Sequence, residues 1–129
     1  MWAREQGCPW QHEDEEESYS MHICAVAAGG GHLEVLKWLR EHDCPWNAWT
    51  CARAAAGGHL EVLKWAREHD CTWSEATCAQ AALGGHLMVL QWARAHGCPW
   101  NYRTREFAAA FQGARHVELL QWAVEHGAP

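Results

Sequence analysis

The 129-residue sequence has little that would tie it to a membrane, a nucleic acid or a chemical reaction. No apolar run approaches the roughly 20 residues that a helical span needs, and the N-terminus MWAREQG lacks the basic and apolar regions of a signal peptide. A cytoplasmic or nuclear protein with no membrane partner is therefore expected. Lys and Arg number ten against sixteen Asp and Glu, stand singly along the chain, and leave a formal net charge of −6. Phosphate backbones are held by clustered cations, so no nucleic-acid partner is expected either. There is no glycine-rich phosphate loop, no Gly-x-Ser-x-Gly and no Cys/His pair outside repeated segments. Catalysis needs one unique constellation, so neither an enzyme nor a cofactor is expected. Cys-x2-Cys is also missing. The copied spacings His42/Cys44, His69/Cys71 and His96/Cys98 place ligand types that zinc accepts two apart, but repetition alone produces them, which makes a zinc-binding module the weakest of three functional readings.

What is present is repetition. The stretch GGHLEVLKWAREHDC at Gly57 to Cys71 is written again as GGHLEVLKWLREHDC at Gly30 to Cys44 and as GGHLMVLQWARAHGC at Gly84 to Cys98. His32, His59 and His86, then Trp38, Trp65 and Trp92, then Cys44, Cys71 and Cys98 all advance by 27 residues. A fixed period of this size marks a stacked array, in which surface is buried between neighbouring units rather than in one central core. Seven cysteines make an odd number, and six of them fall into the columns Cys24, Cys51, Cys78 and Cys44, Cys71, Cys98. Neighbouring helices lie roughly 8–10 Å apart while a disulfide needs Cα atoms within about 7 Å. Same-column cysteines of adjacent units should thus stay unpaired, as reduced, small apolar fillers.

Each unit reads as two helices. Segments such as AWTCARAAAGGH begin after Asn47, Ser20 or Ser74, which are good N-caps, and stop at paired glycines. This predicts a first helix of about nine residues with Cys51, Ala54 and Ala55 as its buried stripe. The second helix should run from about His59 to His69, with Leu60, Val62, Leu63 and Ala66 apolar, Trp65 as a large filler, and Glu61, Lys64, Arg67 and Glu68 toward water. The loop tryptophans Trp10, Trp46, Trp73 and Trp100 are expected to pack on one another, and the histidine of each Gly-His turn to hydrogen-bond locally. Boundaries follow: a half-unit at residues 1–10, an acidic insert at 11–19, and units at about 20–46, 47–73, 74–100 and 101–129. The insert, rich in Glu13 to Glu17, reads as a solvated loop. The last unit departs from the rule, with His86 to His116 spanning 30 residues and Phe107 and Phe111 adding bulk, as a C-terminal cap would.

The segment GHLEVLKWAREHDCTW at Gly58 to Trp73 and the closing Glu125-His126-Gly127-Ala128 resemble the second half of the ankyrin repeat. Cys51-Ala52-Arg53-Ala54-Ala55 occupies the place of that family's first helix, although its Thr-Pro-Leu-His start is absent. Between Asn47 and Ala54 the chain is about six residues shorter than the 33-residue family pattern. The missing residues are those that build the β-hairpin finger, so the chain resembles the short, Trp- and Cys-rich, largely fingerless repeats that form long arrays in protists and large DNA viruses. The resemblance implies an all-α solenoid of about four and a half helix-turn-helix units, and it implies protein binding without catalysis.

Comparison of the units separates framework from variation. The variable columns lie mostly on the first helix: His22, Trp49, Ala76 and Arg103; Met21, Ala48, Glu75 and Tyr102; Val26, Arg53 and Gln80. In proteins of this resemblance that surface grips the partner, which nominates Trp49, Arg53, Glu75, Gln80, Tyr102 and Arg103 as contacts, the two aromatics as anchors. The second reading is a segment of a longer array that serves only for stacking. Opening in mid-unit, it would then self-associate through its N-terminal half-unit.

Overall fold

The computed structural model describes residues 23–129, and every regular element among them is helical. The half-unit and the acidic insert expected over residues 1–19, together with Met21 and His22, lie outside the described residues. Eight helices follow one another in pairs. They are α1 over residues 23–29 with α2 at Leu33–Glu41, α3 at Ala48–Ala56 with α4 at Leu60–Glu68, α5 at Glu75–Gly84 with α6 at Leu87–Ala95, and α7 at Tyr102–Ala109 with α8 at Ala114–Glu125. No strand occurs among the described residues, as expected of units too short for a finger.

Local chemistry fixes the starts of α3, α5 and α7. Asn47 Oδ1 accepts the Trp49 amide at 2.9 Å, Ser74 Oγ the Ala76 amide at 3.2 Å, and Asn101 Oδ1 the Arg103 amide at 3.0 Å. Each satisfies an N–H that the first turn leaves without an intrahelical partner, a contribution of about 1 kcal/mol. The glycine pair that follows serves two needs. Gly31, Gly58 and Gly85 adopt φ of +74°, +75° and +74°, a left-handed conformation that costs a residue with a β-carbon about 1–2 kcal/mol. The preceding glycine is needed for close approach, because a β-carbon on Gly57 would sit 2.8 Å from the Gly29 carbonyl oxygen of the previous unit.

Small side chains let the first helices pack directly on one another, more closely than the second helices do. In α3 the buried set is Thr50, Cys51, Ala52, Ala54 and Ala55, wider than the predicted stripe of Cys51, Ala54 and Ala55. The reason is tertiary: a helix flanked by two neighbours and backed by a second layer is covered on three sides. Only the ridge through Trp49 and Arg53, one turn apart, stays open.

The second helices supply the larger apolar groups. Leu36, Leu63 and Leu90 are wholly buried, as are Ala66 and Ala93. No side chain caps these helices; their N-cap positions are His32, His59 and His86. At the other end the backbone turns left-handed at Asp43 and Asp70, with φ of 63° and 67°, and at Gly97 and Gly127. The expected span of His59 to His69 is thus realised as a helix with a histidine at each cap.

Candidate functional site

The nominated residues lie on the first-helix layer, Trp49, Arg53, Gln80 and Arg103 in one register and Glu75 and Tyr102 in the adjoining column of Ala48. Trp49 is 53% exposed and Tyr102 58%, while Arg53, Glu75 and Arg103 are also exposed and Gln80 is half-buried. Trp49 and Arg53 share a face of α3 at i, i+4 spacing, and Arg103 and Gln80 hold the equivalent register on α7 and α5. Val26, 53% exposed on α1, extends the same row. It stood in a variable column but was not nominated, although an exposed valine in register with Arg53 was signal enough.

A ridge can select a partner only if its helices keep fixed spacing, and that spacing is set on the opposite edges of the units. The turn histidines do more than the local hydrogen bonding expected of them: they span units. His116 Nε2–H donates to the Leu83 carbonyl at 2.8 Å, and His86 is hydrogen-bonded to the Ala56 backbone. Each imidazole lies against the left-handed glycine of the preceding turn, so a β-carbon on Gly58 would come within 2.6 Å of the His86 ring. The glycine pair and the histidine are therefore one interlocking joint. Burial, followed by the nearby Arg115 charge, holds the His86 imidazole below its ordinary value, against the opposing effect of the Ala56 hydrogen bond.

The loop tryptophans form the second joint, in a manner the sequence reading had wrong. They do not stack on one another. Trp46, Trp73 and Trp100 each meet the helix tryptophan of the following unit edge to face, Trp65 at 5.7 Å, Trp92 at 5.8 Å and Trp122 at 6.2 Å between ring centroids. Over their other faces lie the guanidinium groups of Arg40, Arg67 and Arg94, at 4.4, 4.2 and 4.3 Å. Arg67 was expected in water. Instead its Nη1–H donates to the Cys71 carbonyl at 2.6 Å, which closes the loop and presents a flat cation to the Trp73 ring. A period of 27 places the loop ring beside the next helix, where a bulky partner is already waiting, and not beside the next loop.

The C-cap histidines complete this edge. Nδ1–H of His42, His69, His96 and His126 donates to the carbonyl of the tryptophan four residues earlier at 2.8 Å, and the imidazole stacks on that indole. The cysteine two residues on takes a different neighbour, since Cys44 lies against Cys24 and the Cys71 thiol donates to the Asn47 carbonyl at 3.4 Å. Imidazole and thiol of each His-x-Cys thus have separate engagements. Among the described residues no three His, Cys, Asp or Glu side chains gather as a metal site, and no helix is long and apolar enough to cross a membrane.

The arrangement offers recognition by contact: two exposed aromatics, two arginines, a carboxylate and an amide on a braced ridge. Residues 21–69 match a family model described as ankyrin repeats (many copies). No curated protein matches the chain. The all-helical stack of paired helices over the described residues is that expected of ankyrin repeats, a family that generally serves protein interaction.

Proposed function

We propose that the chain is a non-catalytic protein-interaction module whose partner is a protein held on the first-helix ridge by Trp49, Arg53, Glu75, Gln80, Tyr102 and Arg103. The observation that carries this reading is the contrast among the aromatics. Six tryptophans of the described region are engaged in the ring contacts that join units and Trp38 stacks on His42, whereas Trp49 and Tyr102 are in no such contact and stand more than half exposed. Exposed aromatic and arginine side chains on a rigid frame deliver the most binding energy for the least lost freedom. Photo-crosslinking residues placed at Trp49 and at Tyr102 should capture one common protein from cell extract. The same group at Met88, 71% exposed on the second-helix layer, should not. Equal capture at all three positions would sink the proposal.

A second reading, a segment that stacks within a longer array, is supported by the last helix. There Val124 is 48% exposed, and Phe111, just before that helix, is 47% exposed. Light scattering after size-exclusion chromatography, over a wide concentration range in reducing buffer, separates the two. A monomer throughout favours the ridge; growing mass favours end-to-end stacking.

A further inference from the structure

The two cysteine columns, read from the sequence as separate fillers, meet inside each unit. Cys24 and Cys44 lie with their Sγ atoms 3.4 Å apart. Cys51 with Cys71 and Cys78 with Cys98 hold the same register one and two units on, and the Cys78 thiol lies 4.0 Å from the Cys98 carbonyl as the Cys24 thiol lies 3.9 Å from that of Cys44. All six are free thiols and wholly buried. Packing alone does not call for sulfur here, since alanine fills the neighbouring buried positions Ala54, Ala55, Ala81 and Ala82. The columns also disappear together: in the last unit Arg105 and Ala128 stand where the other units have their two cysteines. We propose that each contact is an oxidisable dithiol which a peroxide closes into a disulfide within the unit, Cys24–Cys44, Cys51–Cys71 and Cys78–Cys98.

Geometry favours this product over a metal. Between Cys24 and Cys44 bond formation draws the sulfurs from 3.4 Å to about 2.05 Å, a contraction that the side-chain torsions of two cysteines can share. A two-coordinate soft cation would have to enter between them and push a close-packed interior apart. The chemistry proceeds in two displacements. One thiolate attacks a peroxide oxygen, the O–O bond breaks, and the departing hydroxide takes a proton to leave as water, giving a sulfenic acid. The second sulfur then attacks the first, the S–S bond forms, the S–O bond breaks, and a second water leaves with the remaining proton. Two thiols and one hydrogen peroxide become one disulfide and two waters. In the third unit the side-chain contact with Cys78 lowers the Cys98 thiol against the opposing effect of burial, with the Arg94 charge adding to the lowering. The same contact, followed by burial, pushes Cys78 up.

The test uses the full chain carrying Cys8→Ser, so that only the paired thiols remain. Hydrogen peroxide should remove about 2 Da per pair and about 6 Da in all, with the chain still monomeric and the mass restored by a thiol reductant. Pepsin digestion in acid, which halts exchange, should return only the three within-unit linkages. Adding Cys51→Ser should leave Cys71 as a sulfenic acid that dimedone captures, so that the two remaining pairs lose about 4 Da while Cys71 gains about 16 Da. Cross-unit linkage of Cys44 to Cys51 would overturn the proposal, as would disulfide-linked dimers. So would an unchanged mass under conditions that oxidise the same chain in guanidinium chloride.

Discussion

The middle helix pairs, α3 to α6, and the last pair, α7 with α8, follow one pattern under different demands. In the middle pairs both flanks are covered. Cys51, Ala55 and Leu63 and their copies Cys78, Ala82 and Leu90 are wholly buried. At the matching positions of the last pair stand Arg105 and Ala109, both exposed, and Leu120, half-exposed. What the last pair keeps is everything that faces backward. Ala108, Leu119 and Ala123 are buried, His116 reaches Leu83, and Trp122 meets Trp100. Each unit thus has a face for the unit before and a face for the unit after, and only the latter has been released at the end. Arg105, exposed in the register of a buried cysteine, is the clearest mark of the difference.

The contrast can be broken most severely in the core. Leu63→Ala should lower stability by about 2–5 kcal/mol in urea unfolding, while Leu120→Ala, half-open to solvent, should cost under about 1.5 kcal/mol. Equal losses would mean that the two flanks are equally covered. Next come the turns. Gly58→Ala forces a β-carbon into left-handed backbone and against His86, which should cost at least about 2 kcal/mol. Gly113, where nothing lies closer than 3.9 Å to an added β-carbon, should tolerate alanine for under about 1 kcal/mol, read as thermal midpoints of the two variants.

A smaller effect sharpens the view of the second-helix ends. Asp70 sits at φ 67° where the next unit has Gly97 at 85°. Asp70→Gly should therefore stabilise by up to about 1 kcal/mol, and Gly97→Asp should reverse it in the same assay. The smallest effect expected is that of pH. Because the folded chain lowers the His86 value, the unfolded chain holds that proton more tightly. The stability it contributes is fully present above the ordinary 6.5 and is lost as pH falls through the lowered folded value. The urea midpoint should drop between about pH 7.5 and 5.5, and His86→Gln should lessen the drop. A His86→Gln profile parallel to that of the unaltered chain would show the joint to be insensitive to charge.

Much of this was legible beforehand for a physical reason. Periodicity, capping residues and glycine pairs are local signals, and they gave the helix pairs, their caps and the ridge bearing Trp49 and Tyr102. What was misread is which groups meet, across units for His86 and Trp73 and within the unit for Arg67. His86 was assigned a local bond, Trp73 a loop neighbour and Arg67 a place in water, because a sequence shows how far apart residues are along the chain and not which neighbour a ring meets.

The sequence by itself determined the unit: two short helices, a left-handed glycine turn, small residues where helices approach, and varied residues on the open ridge. Only the tertiary structure decided how units are joined, imidazole to the carbonyl of the unit before and indole to the indole of the unit after, and that the Cys24 and Cys44 thiols meet within one unit. Those partners lie 19 to 33 residues apart. Long-range contacts of that kind are set by the rotation and spacing of one stacked unit on the next, which no local pattern encodes.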